Sequence, residues 1–143
     1  MRKSFFVVAA LAALMISVAA PLAAQNIRLT AVIPFEFTVG NETLPAGEYT
    51  LKSVTAPNMI QVRNDELRAG ALAMAASTVS GDSIRTGNVR LVFNQYGSHY
   101  VLSQIWDGQE AVRHDFSKSR TERELARTAS VKQVEILGMV ARR

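Results

Sequence analysis

The sequence predicts an all-β fold: a single small β-sandwich or β-barrel with one short surface helix near its C-terminus. Three observations predict it. Apolar and polar residues alternate over most of the chain after residue 25. Clusters of Gly, Pro, Asn and Asp interrupt the alternation at short intervals. Only one stretch, 117–127, begins with a helix start signal. Period two marks half-buried strands, and short strands with frequent turns build sandwiches and barrels.

Residues 1–24 stand apart from this pattern. Arg2 and Lys3 make a positive start, 5–20 is apolar except for Ser17, and Pro21-Leu22-Ala23-Ala24 closes the stretch. A basic start, an apolar centre and small residues at the end make a secretory signal peptide. Cleavage is expected near Ala24, although Leu22 at −3 departs from the A-x-A pattern, and the destination is the periplasm or the medium. A spanning helix needs about 20 apolar residues, more than this run supplies, so no transmembrane segment is expected in the mature chain. Without cysteine there is no lipid anchor, no disulfide and no zinc-thiolate or redox site. Residues 25–143 are enough for one β-rich domain, which must rely on packing.

Along that domain, 27–39 puts Ile27, Leu29, Ala31, Ile33, Phe35, Phe37 and Val39 on one parity. Pro34 cannot donate to a ladder, so this strand lies at an edge or bends into two pieces. Gly40-Asn41-Glu42 and Thr43-Leu44-Pro45-Ala46-Gly47 read as successive turns. Strands follow at 48–54, with Tyr49 and Leu51 on one face, and at 59–64. Segment 69–79 is alanine-rich and favours helix by propensity, but its flanks are strand-like and it is read as a strand. Val89, Leu91 and Phe93 alternate with Arg90 and Asn94, and 99–106 alternates again after the short connection Gln95-Tyr96-Gly97-Ser98, which makes a hairpin. A short strand is expected over 110–116. Ser119 and Glu122 have the capping-box spacing, in which each side chain meets the other's backbone N–H. The helix they open is polar nearly all round, with Leu125 as its main apolar residue. Residues 131–140 supply a closing strand. Roughly eight short strands are expected in all.

Charge is unevenly spread. Arg2 and Lys3 belong to the leader, leaving 14 of the 16 basic residues against 12 acidic ones. From residue 113 onward eight Lys and Arg face four Asp and Glu, whereas 25–112 is net negative. The basic end reads as a solvated helix and tail, or as a contact with an anionic envelope component such as lipid headgroups or acidic glycan. Nucleic acid is not an expected partner, because basic and aromatic residues are not interleaved. An outer-membrane barrel is disfavoured, since ten aromatic residues, two of them in the leader, are too few for two girdles.

The segments Ile33-Pro34-Phe35-Glu36-Phe37-Thr38-Val39-Gly40 and Leu44-Pro45-Ala46-Gly47-Glu48-Tyr49-Thr50 resemble the opening of a family of uncharacterised exported bacterial proteins. Arg90-Leu91-Val92-Phe93, Tyr96-Gly97, the run from Tyr100 to Trp106, and Ser119-Arg120-Thr121-Glu122-Arg123-Glu124-Leu125-Ala126 resemble its second half. The resemblance covers most of the mature chain. It implies export and a β fold, and brings no activity with it.

No catalytic motif is present. There is no G-x-S-x-G elbow, no phosphate-binding loop and no dinucleotide fingerprint. No cofactor is expected. His99 and His114 are the only histidines, and with Asp107, Glu110 and Asp115 they are the candidates for acid–base or metal chemistry, but their spacing does not converge them. Tyr96, Tyr100 and Trp106 lie in or beside one hairpin. Strict alternation puts Tyr100 and Trp106 on one face, either in the core or as an aromatic platform. Arg120, Arg123 and Arg127 give the helix its basic character. The expected function is non-enzymatic binding or scaffolding in the cell envelope. The alternatives are a carrier with an apolar barrel cavity, or a hydrolase or metal-dependent enzyme using His99 and His114.

Overall fold

The computed structural model describes residues 27–54, 58–80, 88–108 and 112–141. The leader and its cleavage point near Ala24 lie outside the described residues, as do the turns around Pro57 and Gly81 and the carboxylate of Glu110.

Among the described residues there are ten strands and one helix: β1 (Arg28–Ile33), β2 (Phe37–Val39), β3 (Glu42–Leu44), β4 (Gly47–Ser53), β5 (Met59–Asn64), β6 (Ala69–Ser80), β7 (Val89–Tyr96), β8 (His99–Asp107), β9 (Val112–Phe116), α1 (Arg120–Thr128) and β10 (Val131–Val140). Eight strands form a closed ring in the order β8-β7-β10-β1-β4-β5-β6-β9, and β9 pairs back onto β8. Neighbours in the ring are antiparallel. The fold is therefore a β-barrel rather than a sandwich. Outside the ring, β2 lies parallel to β8 at Thr38 and Val101, and β3 pairs with β2.

The strand over 27–39 does bend at Pro34, and its two pieces serve different neighbours. β1 pairs β4 and β10, while β2 crosses to β8. The short β3 is a departure from the sequence reading, which assigned Glu42, Thr43 and Leu44 to turns. Gly40 has φ +60°, so Gly40 and Asn41 alone reverse the chain and Glu42 already pairs with Val39. A Gly-first two-residue turn of this kind fits the twist of a hairpin. Gly97, with φ +61°, does the same between β7 and β8.

Segment 69–80 is a strand despite its alanines. Ala71, Ala73 and Ala75 face inward and are buried, and Leu72 and Met74 face solvent. Ladder pairing to β5 and β9 overrides the helix propensity of the segment.

An eight-stranded barrel encloses a space just wide enough for side chains. Here Ile33, Tyr49, Leu51, Ile60, Val62, Leu91, Phe93 and Ile105 are wholly buried in it, with Phe37 and Val39 brought in from β2. Phe37 meets Tyr49 and Phe93 edge-on at 5.0 and 5.5 Å. The Tyr49 hydroxyl donates to the Pro45 carbonyl at 2.6 Å, which ties the turn before β4 to the core. The same burial pushes the Tyr49 phenol up from its ordinary pKa.

Candidate binding surface

Helix α1 begins where the sequence places its cap. Ser119 has an extended backbone, and its Oγ accepts from the Glu122 N–H at 3.1 Å. At the other end the Ala129 N–H returns to the Leu125 carbonyl at 3.0 Å. The second half of the capping box is not made, because the Glu122 carboxylate goes elsewhere. Glu122 is 3% exposed, and its Oε1 accepts from Asn94 Nδ2 and from the Tyr96 hydroxyl, both at 2.9 Å. Burial, then the hydrogen bond and charge of Glu122, push the Tyr96 phenol up to about 12, against a smaller lowering by Asn94. The carboxylate is in the first turn, where the helix dipole favours negative charge. It pins the helix to the outer side of β7.

The pin decides which way the arginines point. At 100° per residue Arg120, Arg123 and Arg127 fall on one stripe, opposite Glu122 and Leu125. All three arginines are exposed. Arg120 Nε lies 3.3 Å from Glu124 Oε1, and Arg123 Nε donates to the Ser119 carbonyl at 3.4 Å. Arg127 has no partner among the described residues. Lys118, just before the helix, is also exposed. A rigid basic ridge results, with its counter-charges at one end.

The three aromatic residues do not form a platform. Tyr96 is buried beside Glu122. Tyr100 packs against the core, stacked on Phe35 with centroids 3.8 Å apart. Trp106 is on the opposite face from Tyr100, which corrects the strict-alternation reading. The cause is a β-bulge: Phe93 pairs with Leu102 but Val92 pairs with Gln104, so Ser103 is an extra residue. Its hydroxyl donates to the Val92 carbonyl at 3.1 Å. Beyond a bulge of this kind every side chain changes face. Trp106 thus sits outside, in a cross-strand row with Arg90 and Arg113, whose guanidinium carbons lie 4.4 and 5.3 Å from the ring centroid. Its Nε1 donates to Gln104. The indole is engaged by its own neighbours.

The histidines are placed apart. His99 is exposed at the β7–β8 turn, whereas His114 is buried opposite Ile105, six residues further along β8. Six residues of strand span roughly 20 Å. His114 Nδ1 lies 3.1 Å from Thr78 Oγ1, while its Nε2 is buried without a partner. Among the described residues no group of three or more His, Asp and Glu is placed to hold a metal ion, and no helix is long and apolar enough to cross a membrane.

Sequence reasoning missed the buried role of Glu122. The signal was present, since Glu122, Leu125 and Ala129 form the stripe opposite the arginines. No family model matches the chain, and no curated protein or solved structure matches it either.

Proposed function

We propose that this protein is a non-enzymatic binding domain of the cell envelope, delivered by its leader, that presents the ridge of Arg120, Arg123 and Arg127 to an anionic component. One observation carries the reading. The buried Glu122 fixes α1 so that three arginines project together into solvent, with Arg127 unpaired. Clustered guanidinium groups recognise carboxylate, phosphate or sulfate oxygens by paired hydrogen bonds. The barrel interior supports the same reading, because large apolar side chains occupy the space that a carried ligand would need.

Co-sedimentation of the purified protein with vesicles containing an anionic lipid, and with an acidic polysaccharide, tests this. Binding to at least one is expected. It should fall steeply between low and physiological salt, and weaken about tenfold or more when Arg120, Arg123 and Arg127 are all replaced by Gln. Salt-independent binding, or a triple variant that binds as well as the parent protein, would refute the ridge as the contact.

A further inference from the structure

Next to β7 in the ring, β10 and β1 leave an apolar seam. Among the described residues their ladder pairs Leu29 with Val140 and Thr30 with Met139, and the Ala141 N–H donates to the Arg28 carbonyl just past it. At its other end the strands splay around a groove of about 250 Å³, bordered by Val32, Glu48, Leu137 and Met139. Val32, Leu137 and Met139 are 62%, 67% and 71% exposed. Three large apolar side chains clustered on an outer strand face mark a contact surface.

The charges around this seam indicate what covers it. Val32 pairs with Glu48 on β4, and Leu137 pairs with Arg90 on β7. One outward row therefore runs Glu48, Val32, Leu137, Arg90, with an acid at one end and a base at the other. Glu48 is exposed, and its side chain has no hydrogen bond or ion pair among the described residues. The Arg90 guanidinium lies over the Trp106 ring at 4.4 Å and approaches Glu135 at 3.6 Å, and its buried Nε has no hydrogen-bond partner. The row is self-complementary. A two-fold axis along the strands, passing between Val32 and Leu137, sets Val32 against the partner's Leu137 and Glu48 against the partner's Arg90, twice over. That is the condition for an isologous interface.

We propose that the seam is the interface of a homodimer, two barrels packed face to face through β1 and β10. This inference stands independently of the arginine ridge. Because the surface of a barrel is convex, the contact is small, and the expected dissociation constant is in the range of roughly 10–100 μM.

Sedimentation velocity of the purified protein from roughly 5 to 500 μM is the test. A concentration-dependent shift from monomer to dimer is expected. Leu137→Asp should abolish it, and Glu48→Arg should weaken it about tenfold or more by opposing the partner's Arg90. Leu72→Asp, on a different outer face, should leave it unchanged, as should the arginine-to-glutamine triple variant of α1. These side chains point outward, and unchanged melting temperatures would show that the variants fold. A protein that stays monomeric throughout the range overturns the proposal, and so does a dimer that survives Leu137→Asp. A monomer whose Leu137 is instead needed for binding to neutral vesicles also overturns it, by assigning the seam to lipid.

Discussion

His114 is an imidazole with one nitrogen satisfied and one not. Nδ1 meets Thr78, and Nε2 is buried with nothing to accept from it. The protonated ring carries an N–H on both nitrogens, and no acceptor among the described residues meets the one on Nε2. Burial accordingly pushes the His114 pKa below its ordinary value of 6.5, while the carboxylates of Asp107 and Asp115 pull less strongly the other way. A base whose pKa is lower in the fold binds fewer protons there than in the unfolded chain. Its contribution to stability is therefore complete above the unfolded pKa, and is lost as pH falls from about 6.5 toward the depressed folded value. Urea unfolding at pH 7.5 and at pH 5.5 should show the native protein losing stability that His114→Gln does not lose. Parallel losses in the two proteins would mean that His114 titrates normally in the fold. The burial of His114 was hidden in the sequence because its strand is short and its second partner, β6, lies far upstream in the chain.

At the scale of elements, local chemistry was legible where it was self-contained. Ser119 announced the start of α1, Gly97 announced the β7–β8 turn, and β5 and β10 span the segments 59–64 and 131–140 that the sequence reads as strands. What could not be read was set by contacts far along the chain. The bulge at Ser103 is invisible because Leu102, Ser103 and Gln104 alternate as well as any strand, yet it moves Trp106 to the outside. Strand β3 needs β2 beside it before its three residues count as a strand. Glu122 is the clearest case, since its partners Asn94 and Tyr96 lie almost thirty residues upstream. Removing its carboxylate leaves two donors without an acceptor. Glu122→Ala should cost about 1.5–3 kcal/mol, and Glu122→Gln less, since an amide oxygen still accepts. Chemical denaturation of both variants checks the order. Equal and negligible losses would show that α1 is held by something other than this pin, and the basic ridge would lose its argument for rigidity.

For the whole molecule, period-two patterning established strands and an apolar interior but left sandwich and barrel equally open. Both architectures need one buried face per strand. Closure is decided by two non-local pairings, β6 with β9 and β1 with β10. The second is achieved by a single long strand that pairs with β7 as far as Gly138 and passes to β1 at Met139. Where the three strands meet there is no room for a side chain. A Cβ on Gly138 would lie 2.9 Å from Val89 Cγ1 and 3.0 Å from the Thr30 carbonyl oxygen. A glycine within a strand is a sign of close backbone approach, and it is the one mark of closure that the sequence carries. Gly138→Ala must therefore push β10 away from β1 next to the Leu29–Val140 and Thr30–Met139 pairs that join them. The expected cost is about 1–3 kcal/mol, with faster hydrogen exchange at the amides of β1 and β10 and little change in β5 and β6. Should the loss of protection instead spread evenly over all strands, the barrel would open as one unit, and the seam would not be its weakest join.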